Sequence, residues 1–90
     1  MRTSRQTLAE ATLAPGQVTE RHYHEEAEEL YAIVGGGGVL EVDGDVREVI
    51  AGDTILIPPG AWHTLTANEE GVRLLCCCVP PYSHDDTHFF

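Results

Sequence analysis

The chain has 90 residues, of which 42% are hydrophobic and 22% charged, a globular composition and a length suited to a single domain over residues 1–90. Fifteen acidic residues against five basic ones give a formal net charge of −10, which repels nucleic acid and anionic membrane surfaces. All five basic residues are Arg, which removes Lys-based Schiff-base and P-loop chemistry, and the only two Ser, Ser4 and Ser83, lie in no G-x-S-x-G pattern.

Met1 to Pro15 has no continuous apolar stretch of the signal-peptide kind. No run in the chain approaches the roughly 20 apolar residues of a membrane helix, so a cytoplasmic protein with no membrane partner is expected. Arg5 to Leu13 fits an edge strand or a short helix. It lacks a helix cap and stops at Pro15-Gly16, so strand is the preferred reading. His22 and His24 lie two apart, and in a strand residues i and i+2 share a face, so both imidazoles can reach one ion. H-x-H alone is a weak signal, and in isolation a solvated acidic stretch is the preferred reading. Glu25, Glu26 and Glu28 look like such a stretch. Glu29 differs, because it heads an apolar strand and shares a face with Tyr31 and Ile33, where a carboxylate is costly unless it meets a cation.

Glu29 to Val34 reads as a strand ending at the run Gly35 to Gly38. Val39 to Asp43 alternates as a second strand, and Asp43-Gly44 signals a type I′ hairpin returning through Val46 to Ile50. Ala51-Gly52-Asp53 turns into a short apolar strand, Thr54 to Ile57, closed by Pro58-Pro59-Gly60. His63 to Thr66 follows, then a turn over Asn68 to Gly71, then a last strand from Val72 to Val79 before Pro80-Pro81. Many short strands with closely spaced turns indicate an all-β sandwich or barrel. Two strands, Glu29 to Val34 and Val72 to Val79, are apolar on both faces, so a second cover is needed and a homodimer is expected.

Cys76, Cys77 and Cys78 are consecutive, a spacing that suits neither a disulfide framework nor a zinc knuckle. They read as small apolar side chains of the last strand, in preference to a thiol beside a site. His84 and His88 lie in a polar terminal stretch and read as surface groups, while Phe89 and Phe90 suggest that the tail docks on its own barrel or on a partner.

The spacing of these residues resembles the cupin superfamily, and specifically its small single-domain microbial members. The first cupin motif, G-x5-H-x-H-x3,4-E-x6-G, runs here through Gly16, His22, His24, Glu29 and Gly36. The second, G-x5-P-x-G-x2-H-x3-N, runs through Gly52, Pro58, Gly60 and His63, with Ala67 at the final position and Asn68 one residue beyond. Motif 1 therefore covers residues 16–36 and motif 2 residues 52–68, with residues 80–90 left as a tail. The resemblance implies an all-β double-stranded β-helix, or jelly-roll barrel, of antiparallel strands. It also implies that His22, His24, Glu29 and His63 bind one divalent transition metal; Fe, Mn, Zn, Ni, Co and Cu all tolerate such ligands.

Four protein ligands on an octahedral ion leave two positions for a bidentate small molecule or for substrate with O₂. The expected function is thus a metal-dependent enzyme acting on a small oxygen-containing organic molecule, of dioxygenase, decarboxylase or isomerase type. The alternative is a non-catalytic small-ligand or sugar-binding module with a structural metal. Tyr31 is the candidate catalytic residue, its hydroxyl orienting substrate or acting as an acid, with plain packing the competing role. Trp62 is read as packing. Arg73 alternates with Val72 and Leu74 and so faces away from the interior, which disfavours a phosphosugar substrate.

Overall fold

A computed structural model describes residues 1–89. Seven strands form one antiparallel sheet system: β1 (Thr7–Leu13), β2 (His22–His24), β3 (Glu28–Val42), β4 (Asp45–Ile50), β5 (Thr54–Ile57), β6 (His63–Val79) and β7 (Thr87–Phe89). A 3₁₀ turn, His84–Asp86, precedes β7. The architecture is the all-β double-stranded β-helix.

Two long strands, β3 and β6, form its spine. They pair from Glu28 with Val79 to Val42 with His63. β5 flanks the first half of β3 and β4 the second half. β1 lies along the second half of β6, while β2 meets β6 where His22 opposes His63. Glu29 and His63 therefore sit near opposite ends of the β3–β6 ladder, about 40 Å apart were the strands straight. Yet His63 Nε2 lies 3.2 Å from Glu29 Oε1. The ladder must fold back on itself, which brings the inner faces of its two halves together.

The fold-back occurs at the glycine run, and here the strand boundaries differ from the sequence expectation. Gly35 to Gly38 do not end a strand, and Asn68 to Gly71 do not form a separating turn; β3 and β6 continue through them with register shifts at Ile33/Gly35 and Gly36/Gly38. Gly36 has φ of 64°, and a Cβ there would run into the Gly71 carbonyl oxygen. A Cβ on Gly38 would run into the carbonyl oxygen of Thr66. Residues without side chains let two backbones approach this closely while the ladder bends. The Asp43-Gly44 hairpin is as expected, with φ of 49° and 84° at its two central residues. Asp43 also clamps the loop before His63: its N–H donates to the Trp62 carbonyl and its Oδ1 accepts from the Trp62 N–H.

Alternation along the strands separates an inner from an outer face. The core comprises Leu13, Tyr31, Ile33, Leu40, Val49, Ile57, Leu65, Val72 and Leu74 with smaller neighbours. The outer face keeps apolar side chains that nothing among the described residues covers. Leu56, Leu30, Cys77 and Leu8 lie opposite one another in one row across β5, β3, β6 and β1, and the three leucines are exposed. Arg73 points outward, as expected.

Candidate metal centre

Three of the fold's buried polar side chains lie together: His24, Glu29 and His63 are 4%, 4% and 1% exposed. With half-buried His22 they form a cluster whose ligand atoms all lie within 4.8 Å of one another. They come from three strands. β2 presents His22 and His24 on one face, β6 presents His63 directly across from His22, and the start of β3 supplies Glu29 from the opposite half. The rings of His22 and His63 are 4.2 Å apart.

The outer nitrogens of the three imidazoles are held. His22 Nδ1 is 2.8 Å from the Glu20 carbonyl oxygen, and His63 Nδ1 is 2.9 Å from that of Ala61. A carbonyl oxygen only accepts, so both Nδ1 atoms carry the proton and both Nε2 atoms present a lone pair. His24 Nδ1 lies 3.0 Å from the Thr87 hydroxyl.

The inner atoms then form a pattern that ordinary packing avoids. Glu29 Oε1 lies 2.8 Å from His24 Nε2 and 3.2 Å from His63 Nε2. Despite these short distances, none of the three atoms has a hydrogen-bond partner of acceptable geometry. Buried polar groups are otherwise almost always satisfied. Acceptors crowded around one point without a proton between them suit a cation placed there.

The remaining oxygen of Glu29 is occupied, because the Cys76 thiol donates to Oε2 at 2.9 Å. Cys76 was expected to pack as an apolar side chain. Instead it stands opposite Tyr31 on the inner face and reaches Glu29 diagonally. Burial raises the Glu29 carboxyl, and the hydrogen bond that Oε2 accepts from the Cys76 thiol works against it. Burial, then the hydrogen bond to Glu29 and its charge, push the Cys76 thiol up, so it stays protonated as a donor. Cys78 is pushed up to about 11, by burial first and then by the Glu29 charge. His22 is lowered, chiefly by burial, with His63 and His24 adding to the effect, and its imidazole is therefore neutral at pH 7.

Tyr31 is buried with its ring 6.0 Å from that of His63. Burial and then the Glu29 charge raise its phenol well above the ordinary value, so it keeps its proton. Trp62 packs edge-on against Tyr23 at 4.5 Å, away from the cluster. His84 is exposed and His88 is half-buried, stacked on Tyr23 at 4.9 Å; neither belongs to the cluster, as anticipated. Phe89 docks 5.9 Å from His22, while Phe90 lies outside the described residues. A cavity of about 520 Å³ elsewhere, lined among others by Leu40, Val42, Arg47, Val49 and Ile55, includes none of the four clustered residues. No helix among the described residues is long and apolar enough to cross a membrane.

An antiparallel double-stranded β-helix with a His/His/Glu/His cluster between its halves defines a cupin, and the chain belongs to the cupin family: the Cupin domain model matches residues 9–80. It is 43% identical over 84 residues to an uncharacterized protein of Methanocaldococcus jannaschii, covering 92% of this chain and 67% of that protein. It is 40% identical over 67 residues to oxalate decarboxylase of Bacillus subtilis, covering 70% of this chain but only 17% of the decarboxylase. A solved cupin protein of Bacteroides fragilis superposes with a TM-score of 0.81 at 28% identity, over 87% of this chain and 68% of that one.

Proposed function

We propose that this chain is a metal-dependent cupin enzyme in which His22, His24, Glu29 and His63 hold one divalent transition-metal ion. Its substrate is a small oxygen-containing organic molecule, and its chemistry is of the dioxygenase, decarboxylase or isomerase type. The observation that carries the reading is the buried cluster of unpartnered acceptors, His24 Nε2, His63 Nε2 and Glu29 Oε1. The likeness to oxalate decarboxylase supports a small carboxylate-bearing substrate.

The ion would supply Lewis acidity and, if redox-active, electron transfer. Three neutral imidazoles and one carboxylate leave a divalent ion with one net positive charge, which favours an anionic oxygen on the substrate. The protein's own residues prepare that site. Glu20 and Ala61 orient two imidazoles through their carbonyls, and Cys76 occupies one oxygen of Glu29 so that the other faces the ligand nitrogens. Tyr31, a protonated phenol beside His63, orients the substrate or gives it a proton. His22, the most exposed of the four, marks the side from which a small molecule arrives. The same reading places the protein in the cytoplasm, where its three free thiols stay reduced, and pairs it with a second copy across the outer leucine row.

The test is metal analysis of protein purified without a histidine tag. About one transition-metal ion per chain is expected, with its loss in His63→Ala. A His63→Ala chain that still binds one ion tightly would overturn the ligand assignment.

A further inference from the structure

The segment from Tyr82 to Phe89 has no place in either cupin motif, yet it reaches the cluster. β7 pairs with β2, with Thr87 opposite His24 and Phe89 opposite His22. The Thr87 hydroxyl donates to the Ser83 carbonyl at 2.9 Å. A hydroxyl has one hydrogen, so what it offers His24 Nδ1 at 3.0 Å is a lone pair. His24 Nδ1 is therefore the donor, and its Nε2 is left bare toward Glu29. His22 and His63 obtain the same orientation from carbonyls two residues earlier in the chain. His24 obtains it from a side chain 63 residues away.

The same segment also holds the loop between two of the clustered residues. Asp86 accepts from the N–H groups of Glu26 and Ala27 through its two carboxylate oxygens, at 2.9 and 3.1 Å. The Glu25 N–H donates to the Asp86 carbonyl at 3.1 Å. These contacts bracket the four residues separating His24 from Glu29. Anything that tightens that pair must also favour a docked tail, and the reverse follows by linkage.

We infer that Thr87 is a positioning residue for the metal ligand His24, and that docking of the Ser83–Phe89 segment and metal binding are thermodynamically coupled. The inference rests on the proposed metal-binding reading. Groups that hold the outer nitrogen of a ligand imidazole typically change metal affinity 10- to 100-fold when removed.

The test uses the full chain, Zn²⁺ alone as probe, and two variants. Thr87→Val removes the hydroxyl at nearly constant shape, and Thr87→Ser keeps it. Competition against a chromophoric chelator reads affinity, and amide hydrogen exchange over residues 82–89 reads docking. Thr87→Val is expected to weaken Zn²⁺ binding about tenfold or more while Thr87→Ser stays close to the parent. Zn²⁺ is expected to slow exchange in the segment for the parent and Thr87→Ser, and much less for Thr87→Val. Equal affinity in the parent and Thr87→Val, or exchange in the parent unchanged by Zn²⁺, would overturn the coupling while His63-dependent binding left the metal reading standing. A parent chain that binds no Zn²⁺ would overturn both.

Discussion

Each imidazole of the cluster is fixed from behind. Were Nδ1 free, the ring could flip or change tautomer, and the cluster would lose the convergence of lone pairs that makes it a cation site. Glu29 is fixed in the same sense by a thiol. A sulfur donor in this position is unusual in its softness but is matched to its surroundings, since burial keeps it protonated and hence able to donate. Removing the donor frees Oε2 and lets the carboxylate rotate. Cys76→Ala is therefore expected to weaken Zn²⁺ binding about tenfold, with Cys76→Ser restoring most of it, as read by chelator competition. Unchanged affinity in Cys76→Ala would show that packing alone orients Glu29. The role of Cys76 was hidden from the sequence because three Cys in a row alternate between faces, and only the pairing with Tyr31 decides which one reaches the carboxylate.

Among the elements, β3 and β6 carry the greatest demand, since their mutual bend turns a flat ladder into a site. The bend depends on backbones touching where Gly36 passes Gly71 and Gly38 passes Thr66. At Gly36 a side chain meets both a positive φ and a fixed carbonyl oxygen, and neither can yield cheaply. Gly36→Ala is expected to destabilise the fold by at least about 3 kcal/mol in urea unfolding. A change below about 1 kcal/mol would mean that the strands separate there without cost. The strand segments were legible from alternation, and the Asp43-Gly44 hairpin from its residue types. The continuity of β3 and β6 was not, because four Gly in succession look like a turn unless the opposing strand is known. The short β7 carries no apolar pattern of its own; it becomes a strand by pairing with β2.

For the whole molecule, the inner faces are satisfied within one chain and the outer face is not. Leu30 and Leu56 are 43% and 52% exposed, directly opposite each other, with Cys77 and Leu8 continuing the row. A contiguous apolar row on an otherwise acidic surface is a natural contact for a second copy. Light scattering at micromolar concentration is expected to give a dimer, and Leu30→Glu a monomer. A monomeric parent chain would refute the pairing. The net charge of −10 acts at this scale too, opposing nonspecific association with nucleic acid.

The sequence alone was enough to determine the family, the all-β class and the candidate ligand residues. H-x-H and a distant Glu and His at these spacings require chemically specific residues at set positions, and such a pattern survives in one dimension. The tertiary structure decided what stands behind the ligands: the carbonyls of Glu20 and Ala61, the thiol of Cys76 and the hydroxyl of Thr87. The reason is physical. A ligand must be a particular side chain, whereas any acceptor or donor brought to the correct place can hold it. For the thiol and the hydroxyl, which group arrives there depends on strand pairings between residues 47 and 63 positions apart, and no local pattern encodes those contacts.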